Sequence, residues 1–318
     1  MLKFTFLGVY TYTPYQRPAP YRQNLSPLPS PLHSHCPANQ RLRLWRPLAP
    51  HSQRTSQLSD EDLERIELVM ARAWELDTHA TYSSGLLHFM VFCDKKNMPE
   101  RDRAPANHML LLSFVPTLAG AYSGSAISNY LYGVRAWHIL HRVPWRVEKA
   151  EMDAMLKAAE KVTPASSKRK KRRPYTIEFI LAIRQHPDLS KPLDVSVFAC
   201  LTTCFFGTGR VGEFTVPRLD GFNPEIHISR ERIAYDQTHE GQKVTVLHVP
   251  CTKTSQQGED LCWARQEGLV DPEAALYRHL EVNDLPSQGH LFTYRHKNGK
   301  SFHLSIQAYT HFSDPARQ

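Results

Sequence analysis

The sequence predicts a mainly α chain with a small β component, built as an all-helical domain followed by an α+β domain. Three observations carry this. Between residues 59 and 161 apolar residues recur at helical spacing in five segments. After residue 225 short segments alternate apolar and polar residues as half-buried strands do. Between them, Ser166 to Pro174 (SSKRKKRRP) has no apolar residue and ends in proline, so it reads as a linker. The divisions that follow are an extension over 1–57, a helical domain over 58–162, a basic linker over 163–174 and the α+β domain over 175–318.

At 318 residues and 41% hydrophobic, the chain is long enough for two ordinary cores. No apolar run approaches the roughly 20 residues of a membrane span, so no membrane partner is expected. The six cysteines form no CxxC pair, which points to reduced thiols, an intracellular protein that is not secreted, and neither a disulfide framework nor a metal site. The net charge of +8 is unevenly placed. Residues 1–59 hold seven Lys/Arg and no acid, and 168–173 hold six more basic residues, which leaves −5 for the rest. Any case for nucleic acid therefore rests on local placement and not on overall charge.

Residues 1–57 mix Pro, Ser, Arg and aromatic residues without a period that would bury a face, and they read as disordered. Their arginines without acids suit a transit peptide, but the prolines oppose its amphipathic helix. Ser59 caps the first helix with Asp62 returning the bond, and Leu63, Ile66, Met70, Ala73 and Trp74 keep helical spacing. Thr78 opens a second, with Tyr82, Leu86, Phe89 and Cys93 inside and Thr81, Ser83 and Ser84 near its start. Pro105 precedes a third, Ala106 to Leu118, apolar nearly all round. The fourth begins near Ser125, buries Ile127, Tyr130, Leu131, Val134 and Trp137, and shows Ser128, Asn129 and Arg135 on its other face. The fifth runs from Glu148 to Lys161. Thr81, Ser83, Ser128, Asn129 and Arg135 are of the types that touch phosphates, although solvated helix faces carry the same residues.

In the linker, Lys168, Arg169, Lys170, Lys171, Arg172 and Arg173 repel one another into an extended shape that can track a phosphate backbone. The same run would serve nuclear import, so a nuclear location is expected, otherwise a cytoplasmic one. Beyond it, Thr176 caps a helix through Arg184, and Leu193 to Phe206 is a long apolar helix ended by two glycines. Arg210 follows, with Glu213 three residues on and able to stand beside it. A guanidinium so held suits a phosphate, and a buried Arg/Glu pair tying two helices is the plainer alternative. Strands are expected over Ile226 to Ser229, Arg232 to Tyr235, and Val244, Val246, His248 and Pro250. Lys253 then sits past a strand, before a flexible loop. Asp271 and Pro272 start a helix with Ala274, Ala275, Tyr277 and Leu280, Leu291 to Tyr294 is a short strand, Asn298 and Gly299 mark a turn, and Ser305 to Phe312 begins a last helix.

This order of parts resembles a tyrosine recombinase, the phage-type integrase family of DNA breaking and rejoining enzymes, in the branch found with mobile elements in fungal genomes. GTGRVGEFT resembles the first arginine box, VTVLHVPCTKTSQQGED the strand and loop bearing the family lysine, and LFTYRHKNGKSFHLS the strand and turn before the second box. The resemblance spans residues 58–312. It implies a helical, SAM-like core-binding domain, then an incomplete catalytic domain in which Arg210 clamps the phosphate, Lys253 is the general acid and Glu213 orients Arg210. Double-stranded DNA would be the partner, with self-association on it, and no cofactor or small-molecule substrate. The family's HxxR box and nucleophilic tyrosine have no counterpart here, and Tyr294 and Tyr309 fall too early, so no cleavage is expected. A helical interaction module, a decayed gene product, or a natural chain continuing past Gln318 are the alternatives.

Overall fold

A computed structural model of the chain describes residues 21–22, 24–48, 59–168, 174–219 and 221–313. About 49% is helix and about 10% strand, in two small sheets, so the fold is mainly α with a small β part. The chain divides into two compact units, residues 1–171 and 172–318.

In the first unit the helices are α1 (Arg41–Leu44), α2 (Asp60–Ala71), α3 (Leu76–Lys95), α4 (Glu100–Arg103), α5 (His108–Leu118), α6 (Gly124–Leu140) and α7 (Lys149–Lys161). Polar side chains ahead of apolar runs start several of them: Ser59 and Asp62 form the expected capping box, and Asn107 and Ser123 accept from the third residue on. The second helix starts at Leu76, two residues before Thr78, and the third at His108 rather than Ala106. The unit is centred on α3 against α6. Gly85 and Gly133 make that crossing close, because a Cβ on Gly85 would lie 2.3 Å from Tyr130 Cα and one on Gly133 2.2 Å from Tyr82 O.

Two expectations fail here. Residues 24–48 of the extension are not detached from the core: Leu42 and Trp45 are fully buried. Trp137 Nε1 donates to Trp45 O at 2.7 Å, His141 Nε2 bonds Leu42 O at 2.9 Å, and Arg46 pairs with the buried Glu67. The segment contributes single anchors instead of a periodic face, which is why it looked featureless. The expectation of disorder for 1–20, 23 and 49–57 lies outside the described residues. On α2, Glu67 is buried and meets Arg46 while Ile66 is 37% exposed; the helix reaches the apolar core only near its end, through Met70 and Ala71.

The second unit packs α8 (Ile177–Arg184), α9 (Pro192–Phe206), α10 (Val211–Phe214), α11 (Pro272–Asn283) and α12 (Ile306–Ser313) with a sheet of β1 (Ile233–Gln237), β2 (Lys243–Val249) and β3 (Glu259–Ala264) and a hairpin of β4 (Thr293–Arg295) and β5 (Ser301–His303). Thr176 caps α8 and the buried Asp271 caps α11, the latter worth about 1 kcal/mol. The sheet is antiparallel in the order β1-β2-β3. Its buried side carries Thr245, Leu247 and Val249, not Val244, Val246 and His248. Both rows of β2 are largely apolar, so alternation alone does not say which one meets the helices.

Three further expectations are corrected. Ile226 to Ser229 is a turn, with Ser229 alone bridging to His290. The loop after Lys253 leads into β3, whose first residues, Glu259 and Asp260, disguised it. On α11, Tyr277 is 52% exposed and the buried face carries Ala275, Leu276 and His279. At the end of α9 the left-handed residue is Thr208 (φ 53°), while Gly207 stays helical at −81°.

Candidate functional site

The Arg210 turn is built from α9 outward. Gly207 N bonds Thr203 O at 2.9 Å and Gly209 N bonds Cys204 O at 3.0 Å, closing the helix. Gly209 is needed for close approach, since a Cβ there would lie 2.3 Å from the Phe214 ring and 3.0 Å from Leu261 Cδ1. Arg210 then precedes α10. One carboxylate oxygen of Glu213 accepts from Arg210 N at 2.9 Å and the other from its Nη1 at 3.0 Å. The Glu213 side chain is 12% exposed and that of Arg210 57%, so this is no buried tie between helices. Glu213 fixes the arginine at both ends and leaves most of its donors toward solvent.

Lys253 lies in the β2–β3 connection. Thr252 organises it: its N–H bonds Ser255 O at 2.8 Å and its hydroxyl accepts from Ser255 N at 3.0 Å. Ser255 Oγ donates to Gly258 O at 2.9 Å and Thr254 Oγ1 to Glu259 Oε1 at 2.9 Å. The loop expected to be flexible is thus tied by its own hydroxyls. Lys253 is exposed and makes no hydrogen bond or ion pair among the described residues.

These two turns lean on one strand. Gly209 abuts Leu261 and Thr254 holds Glu259, and those two β3 residues share a face about 7 Å apart along the strand. Arg210 and Lys253 do not touch. Glu213 balances the charge of Arg210 locally, while Glu259 is held by Thr254. On the opposite face, His248 Nδ1 meets Asp260 Oδ1 at 2.7 Å, a half-exposed pair that sequence reading passed over. Its signal is the strand register, which motif reading does not reveal.

The candidate phosphate contacts of the first unit fare unequally. Ser83 is fully buried with no partner for its hydroxyl among the described residues, so it faces no ligand; the second helix turns it into the core. Thr81 is exposed and donates to Asp77 O at 3.0 Å. Ser128 and Asn129 are half-buried and Arg135 exposed on α6, where Ser128, Tyr132 and Arg135 share a stripe by their four- and three-residue spacing. Lys168 is exposed; Arg169, Lys170, Lys171, Arg172 and Arg173 lie outside the described residues. Tyr309 is 4% exposed, and burial pushes its phenol well up, the reverse of what a nucleophile needs.

Among the described residues, no group of three or more His, Cys, Asp or Glu could hold a metal ion, and no helix is long and apolar enough to cross a membrane. What fold and site define is a mainly α chain of two units whose second presents a propped, exposed arginine and a lysine loop on one strand. No protein-family model matches the chain, and no curated protein matches it.

Proposed function

We propose that the chain binds double-stranded DNA in the manner of a tyrosine recombinase, gripping a phosphodiester through Arg210 and Lys253 without cutting it. One observation carries the reading: Glu213 holds the Arg210 backbone and guanidinium together while the guanidinium stays 57% exposed. Burying that arginine would make it structural, and leaving it unheld would make it an ordinary surface charge. Propped and open, it presents a fixed fork to an anion. The Lys253 loop on the same strand supplies a second cation. Cleavage is not proposed, because the hydroxyl of Tyr309 is enclosed and its proton is held more tightly than in water.

Duplex binding should fall steeply with salt. With Arg210, Lys253 and the basic run of 168–173 available to phosphates, log Kobs against log[salt] should have a slope of about −3 or steeper. Filter binding with the full chain measures it. A slope near zero, or no retention at low salt, would reject the reading.

A further inference from the structure

The three-stranded sheet has two edges. Arg210 and the Lys253 loop stand at β3, and on the other edge β1 and α11 enclose an open cavity of about 440 Å³, lined by Arg230, Ile233, Tyr235, Tyr277, Leu280 and Glu281. Tyr235 lies in the row Tyr235–Thr245–Trp263, on the side of the sheet that faces the helices. Thr245 and Trp263 are buried there, whereas Tyr235 is 59% and Tyr277 52% exposed. Two tyrosines lining one cavity, both uncovered beside a row that is otherwise buried, are unusual for a surface with no occupant. Partial desolvation and then the neighbouring Tyr277 phenol push the Tyr235 phenol up to about 12. What the pair offers a ligand is ring surface.

The cavity also has a polarity. Arg230 Nη1 donates to Leu285 O, which anchors the guanidinium in the wall, and its other donors make no bond among the described residues. Glu281 is occupied by Arg278 at 2.8 Å, so it does not answer Arg230. An apolar floor of Ile233 and Leu280, two ring faces and one anchored guanidinium match a planar ring joined to an anion. The volume suits a small ligand.

We propose that this cavity binds a nucleotide unit, its base stacked on Tyr235 and Tyr277 and its phosphate on Arg230. The unit is either a free nucleoside monophosphate or an unpaired base of a single strand; stacking on aromatic rings serves both. This inference does not rest on the duplex-binding reading, since it uses the opposite sheet edge, two strand spacings or about 10 Å away.

The test uses the full chain carrying ring-labelled tyrosines, titrated by NMR first with AMP and separately with a ten-residue oligothymidylate. Tyr235→Phe and Tyr277→Phe assign the two signals. Both should move with AMP, adenosine lacking the phosphate should bind at least about fivefold more weakly, and Arg230→Gln should cost a similar factor. Binding of AMP alone identifies the free nucleotide as the source, and tighter binding of the oligonucleotide identifies the strand. Silent Tyr235 and Tyr277 signals, an AMP response unchanged in Arg230→Gln, or movement with a proline-rich peptide but not with AMP would overturn the proposal. Arg210→Ala should leave the AMP response intact, and Arg230→Gln should leave duplex affinity within about twofold, so the two readings fail separately.

Discussion

Lowering the pH from 7 to 5 is expected to remove about 4 kcal/mol of stability from each unit. The cause is four buried histidines whose neutral form the fold requires. In the first unit, His138 bonds Val134 O through Nδ1 and accepts from Ala106 N through Nε2, so a second proton would cost the Ala106 bond. His141 bonds Leu42 O through Nε2 and faces Arg46 through Nδ1. In the second unit, His279 bonds Leu291 O and accepts from Asn283 Nδ2, and His290 is fully buried beside His227 and His303. Burial lowers His138, His141 and His279 to about 4 and His290 to about 3. Arg46, Glu67 and Arg142 face His141, and the neighbouring histidines add to the effect at His290. A histidine near 6.5 in the unfolded chain takes its proton first, so stability is intact above that pH and falls as pH drops toward 4. At about 1.4 kcal/mol per pH unit, each contributes about 2 kcal/mol by pH 5. Urea unfolding at both pH values measures it. Four of the five tryptophans lie between residues 45 and 145, so fluorescence follows mainly the helical unit and circular dichroism both. Equal stability at pH 7 and pH 5 would contradict neutral buried imidazoles.

Gly85→Ala or Gly133→Ala should each cost about 3 kcal/mol, at the upper end of overpacking losses. Alanine normally favours a helix over glycine by about 1 kcal/mol, so the expected sign is opposite to propensity. The reason is that the atoms in the way are backbone. A Cβ on Gly85 meets Tyr130 Cα, and one on Gly133 meets Tyr82 O, so no rotamer can yield and α3 must move off α6. Gly212→Ala is the control: nothing lies within 4 Å of its Cβ, its φ is not positive and it lies in α10, so the change should be neutral or stabilise by up to about 1 kcal/mol. Thermal or urea unfolding separates the outcomes, and wild-type stability in both helix-crossing variants would refute the close crossing.

Local chemistry made the helices legible. Ser59, Thr176 and Asp271 each precede an apolar run and each caps the helix it announced. The Arg210–Glu213 contact was equally readable, since three-residue spacing on one turn brings the two side chains together. What stayed hidden depends on partners distant in sequence. Leu42 and Trp45 are anchors without a period. Gly85 and Gly133 look like ordinary helix glycines until the two helices cross. Ser83 belongs to the outer-looking polar cluster of its helix but faces inward because α3 is enclosed. On β2 two apolar rows competed, and only the packed helices decide between them. Tyr235 and Tyr277 come from a strand and a helix more than 40 residues apart, and no spacing joins them.

The most direct test of the phosphate grip compares duplex affinity of Arg210→Ala, Arg210→Lys and Lys253→Ala with Lys297→Ala, an exposed lysine in the β4–β5 turn. The account predicts a loss on the order of tenfold for Arg210→Ala, a smaller one for Arg210→Lys, which keeps charge but not the fork, and a salt slope shallower by about 1 for Lys253→Ala. Lys297→Ala should change affinity by no more than about twofold. Equal losses at Arg210 and Lys297, or none at Arg210, would contradict it.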